Sequence, residues 1–364
     1  MKLRMAVIGV GHLGRHHARI LAHMPDVELV GVVDTSFEQA QSIGSQLDVA
    51  AYTDFNQLLG KVDAVSVVVP TIYHHQVAKA FLQEGVPVLV EKPIATTVAQ
   101  ADDMIATARR ANVALQVGHI ERFNPAFEEL AGRPLTPCFI ECERHGPFTG
   151  RSTDIGVVLD LMIHDLDLLL SLTGSAVREV DALGASIFGG HEDMVNARLL
   201  FENGCVAHVT ASRISPNAKR RLRVWASEGY AGIDFVRKRL VLVQQSEELR
   251  KNGLMMHRMD PTRKASFQSD IFHDHLNSLE LKCERPEDQL TAELKSFVKC
   301  VRQNRTPRVT GEDGRDALEL AERIIASIRA HQWQGIPNGA VGPQHLPKPR
   351  GTLFETKRQG RHAA

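Results

Sequence analysis

Three glycines near the start of the chain constrain its fold more than any other feature. Gly9, Gly11 and Gly14 stand at G-x-G-x-x-G spacing after an apolar run, Met5 to Val10. A helical segment follows, from about Leu13 to Ala22, and a second apolar run, Val27 to Val33, ends on Asp34. This is strand, loop, helix, strand and terminal acid, and each part has a physical reason. Gly9 permits the tight turn out of the strand, Gly11 lets the backbone approach a pyrophosphate, and Gly14 lets the helix pack closely on the sheet. The helix N-terminus, with His12 and Leu13 in the loop before it, turns free N–H groups and a positive dipole end toward the phosphates. Asp34 lies about 20 positions after the last glycine, where a carboxylate accepts hydrogen bonds from an adenosine ribose. The competing explanation is a βαβ unit that binds no nucleotide. No Lys or Arg occurs between Ile20 and Gly60, so nothing local neutralises a 2′-phosphate, and Asp34 repels one. The expected cofactor is therefore NAD rather than NADP.

The alternation continues beyond Asp34. Thr35 to Gln46 reads as a helix, and Thr53 to Leu59 as a shorter one capped by Thr53 or Asp54. Asp63 to Pro70 has the composition of a buried parallel strand and delivers Pro70 and Thr71 to the carboxyl edge of a sheet. His75 to Glu84 is helical and stops at Gly85. Val86 to Val90 is the next strand and delivers Glu91, Lys92 and Pro93. A helix from Thr97 to Ala111 and a strand from Val113 to Val117 complete the series. Such alternation predicts an α/β fold: an N-terminal doubly wound parallel sheet of the Rossmann type. Ligands of these sheets sit outside the carboxyl ends of the strands, so topology alone places Lys92 and Thr71 at a site.

From His119 the pattern changes. His119 to Leu130 reads as a helix broken by Pro125, Phe139 to His145 as a strand, and Asp154 to Leu172 as an apolar helix closed by Gly174. Strand-like runs then dominate: Val177 to Ala182, Ala197 to Phe201, Cys205 to Ser212, Arg221 to Ala226, Gly232 to Phe235 and Leu240 to Gln244. Asn203-Gly204 and Glu228-Gly229 are hairpin signals. Helices return at Gln289 to Gln303 and Gly314 to Ala330. The expectation is a C-terminal α+β domain with a largely antiparallel open sheet. The expected divisions are 1–118, 119–335 and a basic Gly- and Pro-containing tail, 336–364, mobile or draped on another subunit.

Composition excludes several classes. With 364 residues there is room for two domains. The formal net charge of zero argues against nucleic acid as a principal partner. No apolar run approaches the roughly 20 residues that span a bilayer. The first strand starts at once, which leaves no room for a signal peptide. Five cysteines, at 138, 142, 205, 283 and 300, form neither a disulfide framework nor paired zinc spacings. A reducing cytoplasm is the expected compartment.

Two groups carry candidate chemistry. Lys92 follows an apolar strand and precedes Pro93; partly desolvated there, it has a lowered pKa and can steady an alkoxide as hydride leaves. The alternative is a Glu91–Lys92 surface pair. On the helix after residue 154, Asp160, His164, Asp167 and Ser171 fall in one narrow stripe at helical spacing. That stripe is either a thin solvated face or the lining of a cavity. In a cavity, His164 is a candidate general base, oriented by Asp160 one turn earlier. A metal between the two lacks third and fourth ligands nearby, so none is expected.

These motifs resemble the Gfo/Idh/MocA family of nicotinamide-dependent sugar oxidoreductases. The matching segments are Gly9 to Gly14, Val69-Pro-Thr-Ile-Tyr-His74, Glu91-Lys-Pro93, Val117-Gly118, Gly156 to His164, Phe297 to Arg302 with Pro307, and Gly311 to Ala317. The resemblance covers about residues 3–330 and implies Lys92, Asp160 and His164 as catalytic positions. By topology Pro70, Thr71, His74 and Glu91 are expected at the cofactor, His74 near the nicotinamide, although a satisfied loop histidine fits His74 as well. Subunit association through the open sheet face, in a homodimer or homotetramer, is a further implication of the resemblance. Gly118-His-Ile-Glu-Arg122-Phe-Asn-Pro125 and the run Asp154 to Asp165 are most similar to the branch that oxidises C3 of UDP-N-acetylglucosamine. On that basis Arg122 and Asn124 sit near the sugar, and Arg144 and Arg151 are candidates for the diphosphate or are surface loop charges. A cyclitol, a free sugar and UDP-N-acetylglucosaminuronate are alternative substrates within the family, and a non-catalytic NAD sensor is the alternative of another class. His16, His17, His273 and His275 read as surface residues, and Lys219, Arg220, Arg221 and Arg223 as a hairpin face.

Overall fold

The computed structural model describes residues 1–148, 150, 155–253, 260–261, 271, 275–335 and 339–349. Its first sheet has six parallel strands in the order β3-β2-β1-β4-β5-β6. They are β1 (Leu3–Ile8), β2 (Val27–Val33), β3 (Ala50–Tyr52), β4 (Ala64–Val67), β5 (Val88–Glu91) and β6 (Leu115–Gly118). Helices α1 (Gly14–Ala22), α2 (Phe37–Leu47), α3 (His74–Gln83) and α4 (Val98–Ala111) make the crossovers. The order reverses between β1 and β4, which leaves the crevice at their carboxyl ends. Local chemistry sets the boundaries. Ser36, Asp54 and Thr97 accept the backbone N–H groups that open their helices, and Asp48 and Asn112 close α2 and α4 in the left-handed conformation.

Pro125 does not break one helix but starts another. Residues Ile120–Phe123 form a 3-10 turn, and α5 (Pro125–Ala131) begins after Asn124, whose side chain caps it. The second sheet has eight strands in the order β14-β13-β12-β11-β7-β10-β9-β8. They are β7 (Pro137–His145), β8 (Val177–Ala185), β9 (Met194–Phe201), β10 (Val206–Ser212), β11 (Lys219–Ala226), β12 (Gly229–Asp234), β13 (Arg239–Gln245) and β14 (Leu276–Lys282). Only the β7–β10 pair is parallel. Strand β14 has no sequence-based counterpart. Its alternation of Asn277, Leu279 and Leu281 with Ser278 and Glu280 sits on an edge with little burial, so hydropathy gave no signal.

One face of this sheet packs on α6 (Ile163–Thr173), with Ile140, Cys142, Ala197, Val209, Leu222 and Val224 fully buried against Leu166 and Leu169. Across the other face runs Leu200–Val206–Phe139–Trp225–Tyr230–Val243 in one register. Phe139, Trp225 and Tyr230 stack along it at ring centroid distances of 5.3 and 5.2 Å. A short helix, α7 (Glu247–Asn252), follows β13.

The last two helices return to the first sheet, across the division expected at 118/119. On α8 (Gln289–Gln303), Leu294, Phe297 and Val298 share a core with Met5, Val7, Leu21 and Leu89. On α9 (Gly311–Ala330), Gly311 and Gly314 lie against Leu115 and Val117, while Leu320, Ile324 and Ile328 join the core of the second sheet. The expected tail begins as a strap: Trp333 Nε1 donates to the Gly342 carbonyl at 2.9 Å, and Ser186 N–H donates to the Pro343 carbonyl at 2.9 Å. Residues 350–364 lie outside the described residues. Among the described residues no helix is long and apolar enough to cross a membrane.

Candidate active site

The glycine loop has the shape its spacing implies. Gly9 has φ +88°, and a Cβ there would lie 2.6 Å from the Val68 carbonyl oxygen. A Cβ on Gly14 would lie 1.8 Å from the Gly9 carbonyl oxygen, so only glycine lets α1 start there. At Gly11 a Cβ would meet nothing within 4 Å. The loop is thus tight on its inner side and open where a pyrophosphate approaches. Asp34 stands at the end of β2 and accepts the backbone N–H groups of Val10 and Ser36, at 3.1 Å each. Its carboxylate is anchored beside the loop and keeps lone pairs for a ribose. Around the same edge Leu13, Ile72 and Tyr73 are exposed apolar side chains. These residues fit a dinucleotide.

Lys92 lies at the end of β5, before a cis Lys92–Pro93 bond. Its side chain is only 16% exposed, which rules out a surface pair with Glu91. Lys92 Nζ donates to the Asp160 backbone carbonyl at 2.7 Å and stands 3.7 Å from Asp160 Oδ1. Burial pushes the Lys92 pKa down, and Asp160 and Glu91 pull it partly back. The second group needs a correction. Asp160 engages Lys92 rather than His164, because Val158–Met162 is a π turn that shifts side-chain spacing. Among the described residues His164 Nδ1 has no hydrogen-bond partner. Burial, then Lys92 and Arg144, hold the imidazole pKa well below the ordinary value. A neutral imidazole thus stands near a lysine whose pKa is lowered, a combination suited to taking a proton and steadying an oxyanion.

The expected substrate residues divide differently. Arg144 is 3% exposed; Nε and Nη2 donate to Asp165 at 2.9 and 2.7 Å, and Nη1 to Glu121 at 2.8 Å. Its guanidinium is closed to a diphosphate, and that expectation is corrected. Arg122 forks onto Asp167 at 2.7 and 3.0 Å and also reaches Ser171 and Asp313. The lower half of the polar stripe is therefore the socket for Arg122, while Asp160 and His164 alone belong to the site. Asn124 is fully buried as the α5 cap. His74 places its two ring nitrogens 2.9 Å from the Pro93 and Val69 carbonyls, bracing the Lys92 turn rather than facing a cofactor. Arg151 and His273 lie outside the described residues.

Several residues escaped the sequence reading. His17, expected at the surface, is 1% exposed. Its Nδ1 meets Ser66 Oγ at 2.9 Å and its Nε2 meets Glu91 Oε1 at 3.2 Å. Glu91 also accepts the Lys92 backbone N–H at 3.2 Å, so its carboxylate faces α1 and the Lys92 main chain. That inward orientation corrects its assignment to the cofactor. The i, i+3 spacing of His17 with Gly14 on α1 was the available signal, since it turns His17 toward the sheet. Glu192, on the β8–β9 loop, accepts the Val158 N–H at 3.3 Å and covers the start of the π turn. A Cβ on Gly156 would strike its carboxylate at 1.8 Å.

Glu293 of α8 is fully buried, and neither of its oxygens has a hydrogen-bond partner among the described residues. Burial, then the charges of Glu91 and Asp167, push its carboxyl well above the usual range. The folded state thus holds a proton that the unfolded chain releases, and stability falls as pH rises from the ordinary carboxyl value toward the raised one. His17 on α1, Lys92, His74 on α3 and His119 after β6 also bear on Glu91. Glu293→Gln keeps the shape and removes the titration. Urea unfolding at about pH 5 and about pH 8 should show the variant gaining on wild type at the higher pH. An unchanged difference between the two would refute a buried neutral acid.

A Rossmann sheet, an open glycine loop and an anchored terminal acid define a dinucleotide-binding protein, and the lysine and imidazole at its crevice place it among oxidoreductases. Comparison with known proteins agrees. Residues 3–119 match the oxidoreductase family GFO_IDH_MocA, NAD-binding Rossmann fold, and residues 106–231 match a GFO/IDH/MocA C-terminal domain. The chain belongs to the GFO/IDH/MocA family of NAD-binding oxidoreductases. It is 34% identical over 331 residues to UDP-N-acetylglucosamine 3-dehydrogenase of Acidithiobacillus ferrooxidans, covering 90% of this chain and 98% of the relative. The solved structure of that enzyme superposes with a TM-score of 0.78 over the same shares of the two chains. Myo-inositol 2-dehydrogenase of Thermotoga maritima is 28% identical, covering 90% of this chain and 96% of the relative. Scyllo-inositol dehydrogenase of Lactobacillus casei, solved with NAD(H) and scyllo-inositol, shares the fold at 20% identity and a TM-score of 0.70, covering 90% of this chain and 97% of that one.

Proposed function

We propose that the protein oxidises the C3 hydroxyl of UDP-N-acetylglucosamine to a ketone. The single observation that carries the chemistry is Lys92 Nζ, drawn onto Asp160 beside His164 at the open end of the parallel sheet. The likeness to a UDP-N-acetylglucosamine 3-dehydrogenase over nearly the whole of both chains supports the substrate. Bound NAD⁺ supplies the acceptor for the hydride that leaves the substrate carbon. His164, neutral in its setting, takes the hydroxyl proton. Lys92 donates a hydrogen bond to the oxygen as negative charge develops and holds the alkoxide until the carbonyl forms. Asp160 keeps the lysine aimed into the site. Lys92 and His164 are electrostatically coupled, so the pH profile reports them as a pair.

The test is reduction of NAD⁺ by purified protein with UDP-N-acetylglucosamine, UDP-N-acetylglucosaminuronate, a hexose 6-phosphate and myo-inositol, each with a carbonyl trap. Reduction with UDP-N-acetylglucosamine alone is the expected result. Reduction with myo-inositol alone would keep the family chemistry and discard the sugar nucleotide. The uncovered row of Phe139, Trp225 and Tyr230 on the second sheet fits association with a second copy. Light scattering of Trp225→Asp against wild type reads that association directly, and equal masses would remove this face from it.

A further inference from the structure

Arg144, the cation expected to meet a diphosphate, is closed off by Glu121 and Asp165. The next cation in the sheet is open. Arg220 on β11 pairs directly with Arg144 on β7, as Leu222 pairs with Cys142 and Val224 with Ile140. Alternation along the strand puts Arg220 on the same face as Leu222 and Val224, both fully buried toward α6. Arg220 is the end of that row, on the side of the sheet that carries the site, and its side chain is 49% exposed. Its carboxylate partner is shared: Glu121 Oε1 lies 4.0 Å from Arg220 Nη1 but 2.8 Å from Arg144 Nη1. One guanidinium of this neighbouring pair is thus committed, and the other retains donors. Lys92, Arg144 and Arg220 each bear on His164, which puts three cations near the reacting end of the site. Their field attracts an anionic substrate and favours an alkoxide within it.

We propose that Arg220 is the anion anchor of the substrate site, pairing through its guanidinium fork with the phosphate groups of a nucleotide-linked sugar whose hydroxyl lies at Lys92 and His164. The inference rests on the sugar-nucleotide reading above and assigns it a residue. The planar fork matches phosphate oxygens in bidentate fashion, and a neutral cyclitol offers nothing for it. Arg220 lies beyond the reacting atoms, so its contact is the same in ground state and transition state. Its loss weakens binding without slowing the chemical step.

The experiment compares wild type, Arg220→Gln and Arg220→Lys. It measures KM and kcat for UDP-N-acetylglucosamine, the Kd of UDP alone by calorimetry, and KM for NAD⁺. Arg220→Gln should raise the substrate KM and the UDP Kd together by about 10- to 100-fold, the range of a charge-assisted hydrogen bond. kcat and the NAD⁺ KM should stay within about threefold. Arg220→Lys should recover part of the loss, and added salt should weaken UDP binding to wild type more than to Arg220→Gln. If wild type oxidises UDP-N-acetylglucosamine and Arg220→Gln binds UDP unchanged, the anchor is overturned and the substrate reading stands. If wild type binds no UDP and turns over only a neutral polyol, both fall. A fall in kcat with unchanged UDP binding would also overturn the anchor, since it would place Arg220 in the chemical step.

Discussion

Lys92→Ala is expected to lower kcat by about 10²- to 10⁴-fold while NAD⁺ affinity stays near wild type. The side chain reaches the site from the end of β5, and its Nζ is held by the Asp160 carbonyl at 2.7 Å. It touches none of the glycine loop or Asp34, so cofactor binding has no reason to change. Removing the ammonium leaves the developing oxyanion with no cation beside it in a partly desolvated space. His164→Ala should cost a comparable factor by removing the proton acceptor. The two effects should not add in the double variant, because the residues act on one oxygen. The wild-type kcat/KM should keep its His164-dependent acid limb below the ordinary histidine range, since the imidazole stays neutral to lower pH. Steady-state kinetics with a nicotinamide absorbance readout, beside calorimetric NAD⁺ binding, checks each statement. Near-normal turnover in either single variant removes that residue from the mechanism.

Arg144→Ala is expected to destabilise the fold by about 3–5 kcal/mol, the cost of breaking a buried ion pair from one side. Arg144 is 3% exposed, and it bonds Asp165 and Glu121, themselves 2% and 6% exposed. Truncation strands two buried carboxyls. Burial already pushes Asp165 above its usual range against the pull of Arg144. In the variant that carboxyl should rise further, so the loss of stability should be larger at pH 8 than at pH 5. Chemical denaturation at both pH values is the measurement. A loss below about 1 kcal/mol, the range of an exposed pair, would show that the triad contributes little.

The two variants separate what was readable from what was not. The glycine loop, the parallel sheet and Asp34 are legible because each depends on local pattern: a tight turn, short apolar runs between helical segments, an acid at a strand end. The same holds for Lys92 between an apolar strand and a proline. Arg144, by contrast, carries no local mark. An arginine on an alternating strand reads alike whether it meets solvent, a phosphate or two buried acids, and only the approach of Glu121 and α6 selects the last. On sequence alone Arg220 reads as a hairpin charge for the same reason. The register of β11 against β7 places it beside the site, and that register joins residues 76 positions apart, as in the Lys219–Glu143 contact.

The stripe Asp160, His164, Asp167 and Ser171 suffered a subtler failure. Helical spacing grouped all four, but a π turn over Val158–Met162 moved Asp160 onto Lys92, and Arg122 took Asp167 and Ser171. One hydrogen-bond step changed from four residues to five, and no residue type announces that change. His17 and Glu293 depended on packing of α1 and α8 over one sheet face, which unites residues from opposite ends of the chain.

By itself the sequence determined the dinucleotide half, the alternation of its elements, the identity of the lysine and the helical place of the imidazole, because those follow from backbone sterics and short-range periodicity. The tertiary structure decided which cations are closed and which stay open, which acid orients which base, and which buried carboxyl stays protonated. Those outcomes depend on desolvation and on charges brought within a few ångströms from distant segments, quantities that exist only once the chain has folded.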